Sequence, residues 1–162
     1  MTCNTPSEDL REKRTALFAG SFDPFTIGHK SIVDRSLSLF DEIVIGVGIN
    51  AAKKGSADAA ERVAAIERLY AGEPKVRVIQ FDCLTVQAAA RCGARWLLRG
   101  VRSVADFEYE RTLADVNRNI SGIESVLILA EPHLASVSSS VVRELASYGE
   151  DVSRFIPKQS RS

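Results

Sequence analysis

The sequence predicts an α/β fold, a three-layer sandwich in which helices cover both faces of a five-stranded parallel sheet. Five short apolar segments of strand type alternate with segments of helical periodicity. Parallel strands need crossover connections, and helices in those crossovers bury both faces of the sheet. The chain has 162 residues, of which 45% are hydrophobic, so it is long enough to form one domain with a substantial core.

The first strand, residues 15–19, is a short apolar run that leads into a turn. We expect Gly20 to adopt a backbone conformation closed to other residues, and Pro24 to keep the following helix out of the turn. The helix therefore begins after the turn, with Thr26 and His29 at or near its amino end.

The later elements follow the same alternation. The other predicted strands are residues 42–49, 76–81, 95–98 and 125–129. Residues 42–49 are β-branched and nearly all apolar, as expected of a strand covered on both faces. The later helices are predicted from Asp58 to residue 71, at 85–92, at 104–120 and from 137 to 147. The apolar stripe of the longest helix is predicted to be Leu113, Val116 and Ile120.

The strand order assumed for this class is 3-2-1-4-5, that of a Rossmann-like, mononucleotide-binding sheet with right-handed crossovers. Strands 1 and 4 are then neighbours at the point where the winding reverses, and ligands bind outside the carboxyl ends of strands there. Residues 21–29 follow strand 1 and residues 99–102 follow strand 4. We therefore expect these two segments to meet at one crevice.

Composition limits the possible partners. Lys plus Arg equals Asp plus Glu at 21 each, so no overall basic field exists to attract nucleic acid or a membrane. Cys3, Cys83 and Cys92 are odd in number and lack Cys-x-x-Cys spacing, which argues against disulfides or structural zinc and indicates a cytoplasmic protein. Residues 1–13 form a polar leader without the apolar core of a signal peptide, and residues 158–162 form a polar tail.

The start of the first helix has the chemistry of an anion site. Unpaired backbone N–H groups and the helix dipole favour a negative ligand there. His29 can donate a hydrogen bond to a phosphoryl oxygen without adding a permanent charge. The alternative is that Thr26 is an ordinary cap, Gly28 a close helix contact and His29 a surface histidine.

Two later segments add cationic and hydroxyl groups. Arg99 and Arg102 flank Gly100 in a predicted loop, and their planar guanidinium groups suit phosphates. The alternative is that Arg99 pairs with a carboxylate such as Asp106 or Glu108. Three consecutive serines, residues 138–140, open the last helix; one serine suffices for a cap, so the three can form a second anion cradle.

Three motifs resemble those of the bacterial phosphopantetheine adenylyltransferases, within the nucleotidylyltransferase superfamily. Residues 20–29, GSFDPFTIGH, are similar to the family's GTFDP…TxGH signature and depart from it at Ser21, where threonine is usual. Residues 99–110, RGVRSVADFEYE, resemble the RGxRxxxDFEYE block, and residues 137–144 resemble ISS(T/S)xx(R/K)E. The resemblance implies a single nucleotidyltransferase domain over residues 14–157. Ser21 keeps the hydroxyl, so we expect weaker positioning and no loss of chemistry.

The resemblance implies adenylyl transfer from ATP to 4′-phosphopantetheine, giving dephospho-coenzyme A and pyrophosphate in coenzyme A biosynthesis. The acceptor phosphate would attack the α-phosphorus directly and in line. Mg²⁺ would accompany ATP, held by substrate oxygens and water, because the sequence contains no Asp/Glu cage. Family members are commonly homohexamers, so the resemblance also implies a homo-oligomer.

The resemblance also assigns residue roles. The implied catalytic residues are Ser21, His29, Lys53 and Arg102. The implied phosphopantetheine-binding residues are Ser21, Lys53, Thr85 and Arg99. The implied ATP-binding residues are Ser21, Phe22, His29, Gly100, Val101, Arg102, Glu110, Leu134, Ala135, Ser136, Val137, Ser138, Ser139 and Ser140. Lys54 carries no assigned role, His133 is expected in an exposed loop, and Phe107 and Tyr109 are expected in core packing.

Two other functions are compatible with parts of the sequence. A nucleotidylyltransferase acting on nicotinate mononucleotide or glycerol phosphate would share the histidine motif, but the block at 99–110 argues against it. A regulatory module that binds nucleotide without turnover would keep the fold and the anion sites. Release of pyrophosphate separates this module from an enzyme.

Overall fold

The computed structural model describes residues 12–49 and 59–158 of the chain. The strands β1 to β5 are Thr15–Gly20, Glu42–Gly48, Val76–Phe81, Trp96–Val101 and Glu124–Leu129. The helices α1 to α5 are Ile27–Ser36, Ala59–Leu69, Thr85–Cys92, Val104–Ser121 and Ser139–Ser147. Short 3₁₀ turns lie at Pro132–Leu134 and Ser153–Phe155. The predictions for Lys53, Lys54 and Asp58 concern residues outside the described ranges.

The sheet confirms the predicted fold class. All neighbouring strands are parallel, and their order is β3-β2-β1-β4-β5. β1 lies at the centre, where Phe18 pairs with Ile45 of β2 on one side and with Leu98 of β4 on the other. The winding therefore reverses between β1 and β4, which places the expected ligand crevice at their carboxyl ends.

Side chains of the strands alternate between two cores, as the pleat of a strand requires. One face of the sheet packs against α1 and α2 in a core that includes Phe18, Ile32, Ile45, Ile66 and Leu98. The other face packs against α3 in a core that includes Leu17, Val44, Ala88, Ala89 and Leu97. The result is the predicted three-layer arrangement. Within residues 12–49 and 59–158, none of the helices combines the length and apolar character that a membrane crossing requires.

β4 is longer than predicted and contains part of the proposed phosphate segment. The sequence placed Arg99 and Gly100 in a loop, but the parallel ladder with β5 continues through Arg99–Leu127 and Gly100–Ile128 pairs. The prediction of a loop was wrong because β5 supplies partners for these backbone groups. Arg99 consequently projects from a rigid strand, on the same face of the sheet as Leu97.

Gly20 is required for a different reason from the predicted one. Its φ is not positive, whereas Phe22 has a φ of +46°. A Cβ atom at Gly20 would lie 3.0 Å from two atoms of the Phe22 ring, which is tighter than nine in ten real Cβ contacts. Gly20 therefore makes room for an aromatic side chain that folds back over the strand end.

The outward and inward faces of α4 differ from the prediction. Val116 and Ile120 of the predicted apolar stripe are 48% and 59% exposed, and Phe107 and Tyr109, which were expected in core packing, are also exposed. The residue of α4 that is buried is Glu110. The periodicity of apolar residues misled here because α4 turns a carboxylate toward the sheet and leaves Val116 and Ile120 exposed, while Leu113 of the same stripe is half-buried.

Candidate active site

A cleft of about 370 Å³ opens at the carboxyl ends of β1 and β4, between the amino ends of α1 and α5. The structure brings together segments that are far apart in sequence, as the strand order predicted. The predicted site residues that line the cleft are Ser21, Phe22, His29, Arg99, Gly100, Arg102, Glu110, Leu134, Val137, Ser138, Ser139 and Ser140.

The remaining predicted site residues lie elsewhere. Val101, Ala135 and Ser136 do not line the cleft. Thr85, at the start of α3, lines a second cavity of about 110 Å³ on the other side of the Arg99 side chain. Lys53 lies outside the described residues. His133, as expected, is exposed in a 3₁₀ turn.

His29 occupies the third position of α1 and is held by the residue that caps this helix. The Thr26 backbone N–H donates to His29 Nδ1 at 3.0 Å, and the His29 backbone N–H donates to Thr26 Oγ1 at 3.3 Å. A backbone amide can only donate, so Nδ1 carries no proton and the neutral ring carries its proton at Nε2. The cap therefore fixes the tautomer, and Nε2–H is the donor that remains for a ligand in the cleft.

The imidazole ring of His29 is surrounded by three phenylalanine rings. The ring centroids of Phe22, Phe25 and Phe18 lie 5.1, 5.4 and 6.1 Å from that of His29. Burial, followed by the positive charges of Arg102 and Arg99, lowers the pKa of His29 from 6.5 to about 4. At neutral pH His29 is therefore an uncharged hydrogen-bond donor, and the interpretation as a surface histidine is wrong.

Arg99 is fixed by a carboxylate and a strand end. Its Nε and Nη2 atoms donate to the two carboxylate oxygens of Glu110, each at 2.7 Å, and its Nη1 donates to the Ala19 carbonyl at 2.7 Å. Arg99 does pair with a carboxylate, as one interpretation proposed, but the partner is Glu110 and neither Asp106 nor Glu108. The bidentate pair joins the end of β4 to α4.

Arg102 lies just beyond β4 and is held near the cleft by the first turn of α4. Its Nε atom donates to Asp106 Oδ2 at 3.0 Å, and its backbone N–H donates to the same oxygen at 3.2 Å. Ser103 caps the helix by accepting a hydrogen bond from the Asp106 backbone N–H. Asp106 also lines the cleft, so a carboxylate orients the exposed guanidinium group there.

The three serines at the start of α5 have separate roles. Ser138 is the cap of the helix, since its Oγ accepts from the Val141 backbone N–H at 3.2 Å. Ser139 Oγ donates to the Pro24 carbonyl at 2.8 Å, which joins α5 to the turn after β1. Ser140 Oγ accepts from Arg143. The prediction that this helix starts at residue 137 was two residues early because Ser138 is its cap.

Two arginines that were assigned no role from the sequence hold the turn between β1 and α1. Arg143 of α5 donates to the Asp23 carbonyl, and Arg62 of α2 donates to the Ser21 carbonyl. Asp106 and Tyr109 are further lining residues that the prediction missed. The Arg102–Asp106 ion pair could have been predicted from the sequence, because the two residues are four positions apart at the start of a predicted helix.

The cleft thus offers donors for anions from two helix ends, two arginines and a neutral histidine. Its carboxylates, Asp106 and Glu110, are each engaged with an arginine. No group of three His, Cys, Asp or Glu side chains suited to a metal ion occurs in the described part of the chain. Such a set of groups can bind a polyphosphate and stabilise charge that develops on a phosphoryl oxygen.

Comparison with known proteins defines the class first. Residues 17–145 match the family model of cytidylyltransferase-like proteins. A solved structure from Vibrio parahaemolyticus, described as a candidate nicotinate-nucleotide adenylyltransferase, shares the fold. Its TM-score is 0.62 at 16% identity, with 91% of this chain and 95% of that chain covered. The chain therefore belongs to the cytidylyltransferase-like class, and the solved structure shares its fold.

Similar proteins then identify the family. The relatives named phosphopantetheine adenylyltransferase include one from Phocaeicola vulgatus, 51% identical over 145 residues, which covers 90% of this chain and 96% of the relative. Another, from Porphyromonas gingivalis, is 52% identical over 147 residues and covers 91% and 96%. A third, from Flavobacterium johnsoniae, is 43% identical over 148 residues and covers 91% and 97%. The chain belongs to the phosphopantetheine adenylyltransferase family, as the sequence motifs predicted.

Proposed function

We propose that this protein transfers the adenylyl group of ATP to 4′-phosphopantetheine, which produces dephospho-coenzyme A and pyrophosphate for coenzyme A biosynthesis. The observation that carries the proposal is the neutral Nε2–H of His29 in a cleft shared with Arg99 and Arg102. Relatives at about half identity over nine tenths of the chain bear the name of this activity, which supports the choice of substrates.

In this proposal the reaction is a single displacement at the α-phosphorus. The acceptor phosphate is already an anion and needs no general base, so the protein supplies positioning and charge stabilisation. His29 donates from Nε2 to an α-phosphoryl oxygen, and Ser21 donates from its hydroxyl to the same group. A neutral donor suits this step because its hydrogen bond becomes stronger as negative charge develops on the α-phosphoryl oxygen in the transition state. A charged donor would also bind the substrate strongly in the ground state, which does not lower the barrier.

The acceptor occupies the smaller cavity, where Thr85 and Arg99 are lining residues. Arg99 binds its phosphate, and Lys53, outside the described residues, bridges the two substrates. The leaving pyrophosphate occupies the opposite end of the cleft. Arg102 and the backbone N–H groups at residues 138–140 bind it there, because the amino end of α5 and a guanidinium group both favour an anion.

Mg²⁺ fits this cleft as a companion of the triphosphate. Asp106 and Glu110 already hold arginines, so substrate oxygens and water would supply the metal's ligands. The ion would neutralise charge on the phosphoryl oxygens. Its binding is therefore expected to depend on ATP.

We also propose that the protein is a homo-oligomer, a homohexamer by family resemblance. The support in this chain is the apolar face of α4, where Tyr109, Val116 and Ile120 are 62%, 48% and 59% exposed. Exposed apolar groups of this kind are typical of surfaces covered by another chain. Light scattering coupled to size exclusion measures the mass of the assembly, and a monomer at all concentrations would contradict the proposal.

An assay of pyrophosphate release with a panel of acceptors tests the function. The panel compares 4′-phosphopantetheine with nicotinate mononucleotide and glycerol 3-phosphate at equal concentrations of ATP and Mg²⁺. We expect turnover with 4′-phosphopantetheine alone. Turnover with another acceptor would indicate a different nucleotidylyltransferase, and binding of ATP without turnover would indicate a regulatory module.

A further inference from the structure

The Arg99–Glu110 ion pair forms the wall between the two cavities. Among the described residues, these two are common to the lining of the larger cleft and of the smaller cavity. The rest of the smaller cavity comes from α3, α4 and the sheet. The rest of the larger cleft comes from β1, β4, the segment after β5, and the amino-terminal parts of α1, α4 and α5. A ligand in either cavity therefore faces the same pair.

Arg99 and Glu110 satisfy several of each other's hydrogen-bonding groups. Both carboxylate oxygens of Glu110 accept from Arg99, and the third bond of Arg99 goes to the Ala19 carbonyl. Three of the five guanidinium N–H groups are thus used. The side chains of Arg99 and Glu110 are 28% and 10% exposed, so water replaces a lost partner poorly, above all at Glu110.

We propose that this ion pair couples the two cavities, so that occupation of one cavity increases the affinity of the other. The inference rests on the function proposed above. A phosphate in the smaller cavity competes with Glu110 for the Arg99 guanidinium group, and hydroxyl groups of a nucleotide in the cleft compete with Arg99 for the Glu110 carboxylate. Each substrate thereby breaks the Arg99–Glu110 ion pair, and the other substrate then binds without having to break it.

The physical reason is the complementary chemistry of the two groups. A guanidinium group only donates hydrogen bonds and a carboxylate only accepts them, so an anion can replace Glu110 and a hydroxyl donor can replace Arg99. One substrate alone leaves a partly buried charge without its partner, which is unfavourable. The second substrate supplies that partner, and the two substrates together bind more tightly than either alone.

Calorimetric titration measures this coupling in the wild-type protein. 4′-Phosphopantetheine is titrated with and without saturating α,β-methylene-ATP, whose bridging carbon blocks adenylyl transfer. We expect the analogue to tighten the binding of 4′-phosphopantetheine by about 5- to 150-fold, and the reverse titration to give the same factor. Pantetheine lacks the phosphate that competes with Glu110 for Arg99, so the analogue should not increase the affinity for pantetheine.

Two variants test the residues. Glu110→Gln removes the charge that holds Arg99, so 4′-phosphopantetheine alone should bind at least as tightly as to the wild type, while the increase caused by the nucleotide analogue is lost. Thr85→Ala is the matched control, because Thr85 lines the smaller cavity but not the larger cleft. It should change the affinity for 4′-phosphopantetheine and leave the coupling factor intact.

The outcomes separate this inference from the function on which it rests. Independent binding of the two substrates to a wild-type protein that releases pyrophosphate would overturn the coupling and leave the function standing. A wild-type protein that neither binds nor adenylates 4′-phosphopantetheine would overturn both. If Glu110→Gln fails to fold, the wild-type titrations of 4′-phosphopantetheine and pantetheine provide the test. An equal increase in affinity for both ligands on addition of the nucleotide analogue would overturn the coupling.

Discussion

His29 has two separable roles, because its two ring nitrogens serve different partners. Nδ1 accepts from the Thr26 backbone N–H and so belongs to the helix cap, whereas Nε2 carries the proton offered to the cleft. His29→Asn keeps an acceptor atom, Oδ1, at the position of Nδ1 along the side chain and removes the donor at Nε2. His29→Gln does the reverse, since its amide nitrogen lies at the position of Nε2 and nothing replaces Nδ1.

The structure sets the expected magnitudes for both variants. Loss of one preorganised donor costs about 100- to 1,000-fold in kcat, or ~2.7–4 kcal/mol of transition-state stabilisation. We expect that loss in His29→Asn, with little change in thermal stability. Thr26 is only 1% exposed, so in His29→Gln its N–H loses its partner in a buried place, and the free energy of unfolding should fall by about 1–3 kcal/mol.

Single-turnover rates and thermal melting of both variants give the test. His29→Gln should retain more activity than His29→Asn and melt at a lower temperature. Wild-type turnover by His29→Asn would refute the role of Nε2–H in charge stabilisation. A large loss of stability in His29→Asn would instead show that the ring packing against Phe18, Phe22 and Phe25 dominates.

Three further predictions concern the pH dependence set by His29, the hydroxyl group of Ser21, and the two glycines Gly20 and Gly28. The pKa of His29 is 6.5 in the unfolded chain and about 4 in the folded protein, so the unfolded chain binds the proton first as the pH falls. The free energy of unfolding should therefore be highest above pH 6.5 and fall by about 3 kcal/mol as the pH drops to 4. Denaturant titrations of the wild type and of His29→Asn measure this fall, which should be smaller in the variant. Ser21→Thr should keep or modestly raise kcat, because it adds a stiffer β-branched rotamer to the same hydroxyl; a collapse of kcat would mean that the turn differs from the family's. Gly20→Ala should lower the free energy of unfolding by about 1–3 kcal/mol through the clash with Phe22. A Cβ atom at Gly28 would make ordinary contacts at 3.5 and 3.6 Å, so Gly28→Ala should fold normally and, because Gly28 lines the cleft, raise the KM for ATP. Equal melting temperatures of the two variants would contradict this prediction.

The sequence predicted the sheet well because each strand is an apolar run bounded by polar or turn residues. β3 at Val76–Phe81 and α3 at Thr85–Cys92 lie where they were predicted. The meeting of the histidine and arginine segments also followed from the strand order. The end of β4 could not be predicted, because a charged residue and a glycine look like a loop until the neighbouring strand is known to continue beside them.

The details of the site depended on packing that one sequence does not reveal. Glu110 lies eleven residues after Arg99, whereas the possible partners named for the arginine from the sequence were Asp106 and Glu108. The choice among them is made by the face that α4 turns to the sheet, and the apolar stripe of this helix indicated the wrong face. The role of Thr26 in fixing the His29 tautomer likewise required coordinates, since threonine at a helix start is usually a simple cap.

The stereochemical course at the α-phosphorus tests the central proposal most directly. The protein is incubated with 4′-phosphopantetheine, Mg²⁺ and one diastereomer of ATP that carries sulfur on the α-phosphorus, and the configuration of the thio-substituted dephospho-coenzyme A is determined. A single in-line displacement predicts that this product forms with inverted configuration. Retention would indicate a covalent adenylyl-protein intermediate, and absence of the thio-substituted product beside turnover of another acceptor would contradict the assignment of 4′-phosphopantetheine as the substrate.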